Sequence, residues 1–326
     1  MKRRNILIAG TLGVTLAVPG LAQGKGYPNR PIKLILPVPP GVSPDVVARI
    51  IGDKLSQALG QPVVIDNRPG AGGIIAAEAA MASPADGYNL FFATNSVMTI
   101  APHIYSSVKY NPLRDFTAVT QVLIVPHIIT ATLNAPYNTL GEMVEYAKRN
   151  PGKIDYASLG IGSLPHVALE ALAARLDIKL NHIPYKSNPV ADVMSGVVSL
   201  YYEAATTAIP SIKGGKIKAL AVMGSARLPA LPDLPSLHEF NPTLDPNDII
   251  GNPWLGFFAP VSTPEDIVAR LSAEIVKVVN LPDVQTRMRA LGLTPTGKPA
   301  EALAATVANE FAFWGKTIRE LDIKAQ

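Results

Sequence analysis

The chain has no cysteine among its 326 residues, which excludes disulfides and thiolate chemistry and leaves the fold to rest on its packed core. A long apolar run is missing too. The stretch from Ile6 to Val18 is interrupted by glycine and is too short to sit comfortably as a spanning helix. There is no Gly-x-Ser-x-Gly elbow and no His-Glu-x-x-His, so two common hydrolase signatures are absent. The five histidines, His103, His127, His166, His182 and His238, form no pair at metal-ligand spacing, and each reads more readily as a hydrogen-bonded or surface side chain. Neither a metal nor a cofactor is expected.

An excess of one charge is also lacking once the N-terminus is set aside. Lys2-Arg3-Arg4, the apolar run and "PGLAQG" form an export signal. Cleavage is expected after Ala22, the alternative being an uncleaved anchor. Residues 1–22 hold three basic and no acidic residues, so the mature chain carries 26 basic against 25 acidic ones. The sequence pI of 9.1 therefore belongs largely to the signal, and nucleic acid and anionic membrane lose their support as partners. No cysteine follows the apolar run, so a lipid anchor is not indicated. At 48% hydrophobic residues, roughly 300 mature residues make one large or two medium domains.

What is present is an alternation of strands and helices. "PIKLILPV" (31–38), "PVVIDN" (62–67) and "YNLFFAT" (88–94) read as strands, and 44–60 and "AGGIIAAEAAMAS" as helices between them. A second series runs through strands at 153–159, 180–185, 198–204 and 216–224, with helices at 164–176 and 188–196 and a helical turn at 206–215. A proline-rich connector at 228–253 precedes one more strand, "WLGFFAP" (254–260), and three helices. Short apolar strands separated by helices predict parallel sheets with helices on both faces. Ligands of such sheets lie beyond the carboxyl ends of the strands.

The turns at those ends carry the polar chemistry. "NRPGAGG" (67–73) precedes a helix as a phosphate loop would, but it lacks the Lys and Ser/Thr that would complete one. "PPGVSPD" supplies Pro40, Gly41, Val42, Ser43 and Asp45, and "SLGIGSLPH" supplies Ser158, Gly160, Ile161, Gly162, Ser163 and His166. Each either caps a helix or offers a concave row of N–H groups to an anion. Two such turns on two lobes would clamp one carboxylate. Thr94, Asn95 and Ser96 follow the third strand, and Tyr185 lies beside Lys186, read as a solvated side chain. Tyr201 and Tyr202 alternate across their strand. Tyr202 is expected to face the cleft, with Glu203 at the strand end.

"YPNRPIKLILPV", "VVIDNRPGAGGIIAAEAAMASPADGYNL", "PHVALEAL", "IPYK" and "KIKALAVMGSARLPALPDLPSLHEF" resemble the Bug-type periplasmic solute receptors of tripartite tricarboxylate transporters across essentially the whole mature chain. The resemblance implies a two-lobed α/β fold, each lobe a mostly parallel sheet flanked by helices, with the ligand cleft between. It implies an organic carboxylate held by main-chain N–H groups and waters, then delivered to a membrane permease unchanged. Against the family pattern, Val42 stands for a usual Gly, Leu159 and Ile161 for smaller or polar residues, and Tyr201-Tyr202-Glu203 where the strand often ends in Asp. A more apolar, aromatic cleft follows. Residues 23–125 plus 250–326 are expected to form one lobe and 126–249 the other, in a monomer. The rival readings are an exported hydrolase or isomerase using Ser163, His166 or Glu203, and a sensor partner of a membrane kinase.

Overall fold

The alternation begins with β1 (Ile32–Leu36), α1 (Ser43–Leu59), β2 (Val63–Asn67), α2 (Ile74–Met81) and β3 (Asn89–Thr94) in a computed structural model that describes residues 26–244, 249 and 253–324. The export signal and its cleavage site lie outside the described residues. α1 buries Val47, Ile50, Ile51, Leu55 and Leu59 along one stripe and stops at Gly60, whose φ of 66° gives a left-handed C-cap. The glycine turn ahead of α2 is a packing device. A Cβ on Gly73 would stand 2.4 Å from Val97, so only glycine lets the turn close on the first sheet.

After β3 the chain makes a π-helical turn (Ser96–Ile100) and the short helices α3 (Ala101–Ile104) and α4 (Pro112–Asp115), then enters β4 (Phe116–Ile124). It crosses into a second unit: β5 (His127–Ala131), α5 (Leu140–Arg149), β6 (Asp155–Ser158), α6 (Leu164–Leu176), β7 (Asn181–Pro184), α7 (Val190–Ser195), β8 (Leu200–Ala204), α8 (Ala205–Lys213), β9 (Lys218–Val222) and α9 (Leu237–Phe240). It returns through β10 (Trp254–Pro260), α10 (Glu265–Val279), α11 (Pro282–Ala290), β11 (Thr294–Lys298) and α12 (Ala300–Glu320).

The first sheet has the order β11-β4-β10-β3-β1-β2 and the second β7-β6-β8-β5-β9. Both are mixed. β1 runs parallel to β2 and β3, and β6 to β7 and β8. The strands beside the crossings are antiparallel: β10 to β3 and β4, and β5 to β8 and β9. Each sheet has its own core, one around Phe92, Phe257 and Leu271, the other around Tyr156, Leu172 and Tyr202. A smaller cluster joins them, in which Trp314 and Ile318 of α12 meet Ile100 and Ile104 on one side and Val167 of α6 on the other.

Candidate functional site

A cavity of about 660 Å³ lies between the two sheets, walled by both units and by the crossing segments. Several strand ends converge there. From the first lobe come Val42, Ser43 and Pro44 at the start of α1, Gly72, and Thr94, Asn95 and Ser96 after β3. From the second come Gly162, Ser163, Leu164 and Pro165 at the start of α6, and Glu203, Ala204, Thr206 and Thr207 where β8 becomes α8. Val125, His127, Pro253 and Trp254 form the floor, where the Val125 N–H donates to the Pro253 carbonyl at 2.6 Å and ties the two crossings together. A second cavity of about 430 Å³, walled by Arg227, Arg289 and the Leu293–Pro295 segment, also touches the crossings. It receives none of these helix starts, so the larger cavity is the candidate site.

Three helices begin at its wall, and none has a side-chain cap on its first turn: α1 after Val42, α6 after Ser163 and α8 after Ala204. Uncapped first turns leave N–H groups and a positive dipole end for an anion. Among the described residues, no lysine or arginine lines the cavity. Arg68, which directly follows β2, is paired with Asp66 at 2.9 Å, and Lys186 is not part of the wall.

Several expected contacts turn out to hold the turns themselves. Asp45 is buried and accepts from the Gly41 N–H at 2.8 Å, from Arg49 at 2.9 and 3.0 Å and from Asn67 at 3.0 Å. Burial pushes its carboxyl up, but Arg49, the Gly41 N–H and Asn67 outweigh this and hold it at about 2. Asp45 therefore takes the Gly41 N–H, which is not free for a ligand. Neither residue lines the cavity, nor does the exposed Pro40.

The second-lobe turn is corrected in the same way. The Gly160 N–H donates to Ser158 Oγ at 3.1 Å, the Gly162 N–H to His166 Nδ1 at 3.0 Å, and the Ser163 N–H and hydroxyl to the Gly160 carbonyl at 3.2 and 2.7 Å. The expected row of N–H groups is consumed inside the turn. Ser158, Gly160, Ile161, His166 and Tyr185 stand outside the cavity wall. His166 stacks on His182, centroids 4.1 Å apart, and His182 Nε2 meets Ser158 Oγ at 2.6 Å. Burial lowers both histidines to about 4, so they are neutral braces at neutral pH. The Ser–His contact formed here pairs a wholly buried Ser158 with His182, not Ser163 with His166.

Val42, Ser43, Thr94, Asn95, Ser96, Gly162, Ser163, Tyr202 and Glu203 do reach the wall. Tyr202 stands at the wall but packs as part of the core. It has no exposed surface, stacks face to face on His127 at 4.6 Å and belongs to the second-lobe core. His127 Nδ1 lies 2.8 Å from the Val125 carbonyl. A carbonyl only accepts, so that nitrogen carries the proton, and burial holds the ring neutral by lowering it to about 4. The sequence reading missed Thr206, Thr207, His127 and Trp254. The two threonines directly follow β8, and the same strand-end rule finds them when it is carried two residues further.

Buried polar atoms without partners mark what the site lacks. Asn95 Nδ2, Tyr202 Oη and Thr206 Oγ1 are sealed from solvent with no hydrogen bond, and all three belong to the cavity wall. Such atoms are costly unless something fills them.

Comparison with known proteins places the whole chain. The family profile described as "Tripartite tricarboxylate transporter family receptor" matches residues 47–323. The protein in the tcbD-tcbE intergenic region of Pseudomonas sp. (strain P51) is 34% identical over 99% of this chain and 96% of its own length. Protein BugT of Bordetella pertussis is 32% identical over 97% and 98%. Among solved structures, R. palustris Rpa4515 with adipate superposes with a TM-score of 0.79 at 28% identity, covering 91% of this chain and 99% of that one. MatC from Rhodopseudomonas palustris with bound malate gives 0.75 at 28%, covering 90% and 100%.

Proposed function

The chain belongs to the tripartite tricarboxylate transporter receptor family, and from that premise we propose that it captures an organic carboxylate between its lobes in the periplasm and hands it unchanged to a membrane permease. The observation that carries this reading is the polarity of the cavity. The uncapped starts of α1, α6 and α8 and the residues Asn95 and Thr206, each with an unpartnered donor, border a space that no lysine or arginine among the described residues lines. A carboxylate satisfies these donors through charge-assisted hydrogen bonds. The adipate and malate in the two structural neighbours support the ligand class.

The lobes are residues 23–125 with 250–326, and 126–249, a division supported by the membership of the two sheets. They close by a hinge at the Val125 and Pro253 crossings. The mature protein begins at Gln23 and acts as a monomer. Calorimetric titration of the mature chain with monocarboxylates, hydroxy acids and dicarboxylates, each beside its neutral amide, tests the reading. Saturable one-site binding of a carboxylate, with its amide at least tenfold weaker, is the expected result. Binding of amides and carboxylates alike would refute it.

A further inference from the structure

The charge of the cavity is one-sided. Among the described residues, one carboxylate, Glu203, lines it, and no lysine or arginine does. Glu203 is 3% exposed. Its partners are the hydroxyl of Thr207, donating at 3.0 Å, and that of Thr130, donating at 3.3 Å. A carboxylate offers about four lone-pair sites, so two hydroxyls leave roughly half its capacity open. Glu203 also stands directly before Ala204, the N-cap residue of α8. On the other lobe the polarity is reversed. Asn95 is 2% exposed with its Nδ2 unpartnered, and it lines the cavity together with Val42 and Ser43 at the uncapped start of α1. The cavity thus meets an unpartnered donor in Asn95 on the first lobe and an acceptor in Glu203 on the second.

We propose that the ligand is a carboxylate bearing a hydrogen-bond donor at its far end, an ammonium or a hydroxyl, with the carboxylate on Asn95 and the α1 start and the donor on Glu203. The proposal rests on the carboxylate reading above. A second carboxylate at the far end would share a desolvated space with Glu203 and find no cation there. An ammonium would instead complete the pairing of a buried acid. Burial pushes Glu203 up against the pull of Thr207 and Thr130, and a cation beside it holds it ionised.

The test uses three probe series of matched length, from four to eight carbons: ω-amino carboxylates, ω-hydroxy carboxylates and α,ω-dicarboxylates, titrated into the mature wild-type protein and into Glu203→Gln. In wild type the best donor-ended probe should bind at least tenfold tighter than the dicarboxylate of equal length. In E203Q that preference should shrink to threefold or less, with the unliganded melting profile confirming a folded variant. If a dicarboxylate binds tightest to wild type, the inference is overturned while the receptor reading stands. Failure of every probe with either head group would overturn both. The wild-type comparison decides the matter even if E203Q does not fold.

Discussion

Glu310 gives the sharpest pH-dependent consequence of this fold. It projects from α12, accepts from the Trp254 indole N–H at 3.0 Å and from the Thr99 hydroxyl at 3.2 Å, and sits behind the cavity floor that Trp254 forms. Burial raises its carboxyl from 4.5 to about 7, against the opposing pull of Trp254, Thr99 and the more distant Lys298. The native state therefore holds this proton between about 4.5 and 7, where the unfolded state has released it. Stability that depends on Glu310 is full below about 4.5, declines as pH rises, and is lost above about 7. The interval of about 2.5 pH units corresponds to ~3 kcal/mol, and because Glu310 is half-buried rather than sealed, we expect about 1–3 kcal/mol. Glu310→Gln keeps an oxygen for Trp254 and removes the titration. Urea unfolding at pH 5 and pH 8 measures the difference. The variant should match wild type within ~0.5 kcal/mol at pH 5 and exceed it by about 1–3 kcal/mol at pH 8. If the two proteins lose stability in parallel from pH 5 to 8, Glu310 titrates as an ordinary carboxyl and the reasoning fails.

Other substitutions probe the turns and the donors. Gly162 has φ of 78°, and a Cβ there would stand 2.7 Å from Ile104 of the opposite lobe. Gly162→Val should therefore cost about 1–3 kcal/mol of stability and weaken ligand binding; an unchanged melting temperature and affinity would contradict it. Asp45→Asn removes a buried anion bonded to Arg49 and Gly41, at a cost of about 1–3 kcal/mol near neutral pH. Because the folded carboxyl lies at about 2, wild type should shed this advantage as pH falls from about 4 to 2, and the variant's acid unfolding curve should be flatter. Asn95→Leu should weaken the best carboxylate by ~1–3 kcal/mol, while Lys186→Ala leaves it within about twofold. The reverse order in a titration would show that a side-chain cation holds the anion.

The parts of the fold that could be read early are those whose cause is local. β1, α1 and β2 fall within a residue or two of expectation, because short apolar strands, a helical stripe and Gly60 each act on their immediate neighbours. β4 and β11 escaped. β11 is Thr-Pro-Thr-Gly-Lys, without apolar alternation and with Pro, Gly and Lys, which strands disfavour, set against its two threonines; it is a strand because β4 stands beside it. The antiparallel β3-β10-β4 centre of the first sheet is equally invisible locally. Its partners lie more than a hundred residues apart, and their direction follows from the chain crossing twice between the lobes.

The site divides along the same line. Strand-end reasoning located the Val42-Ser43, Thr94–Ser96, Gly162-Ser163 and Tyr202-Glu203 segments on one cavity wall, since a strand's carboxyl end is a property of its own sequence. It could not separate N–H groups that face a ligand from those that the turn uses. Gly41, Gly160 and Gly162 look like donors to an anion until Asp45, Ser158 and His166 are seen accepting from them. That internal consumption has a physical consequence. With the glycine N–H groups spent and no basic side chain among the described residues of the wall, an anion depends on the uncapped starts of α1, α6 and α8 and on the donors without a partner, Asn95 Nδ2 and Thr206 Oγ1. A site with so few open donors is selective through what it leaves unsatisfied. A ligand that fails to reach Asn95 leaves a buried amide unpaired, whereas misplacing an aliphatic carbon forfeits only contact area.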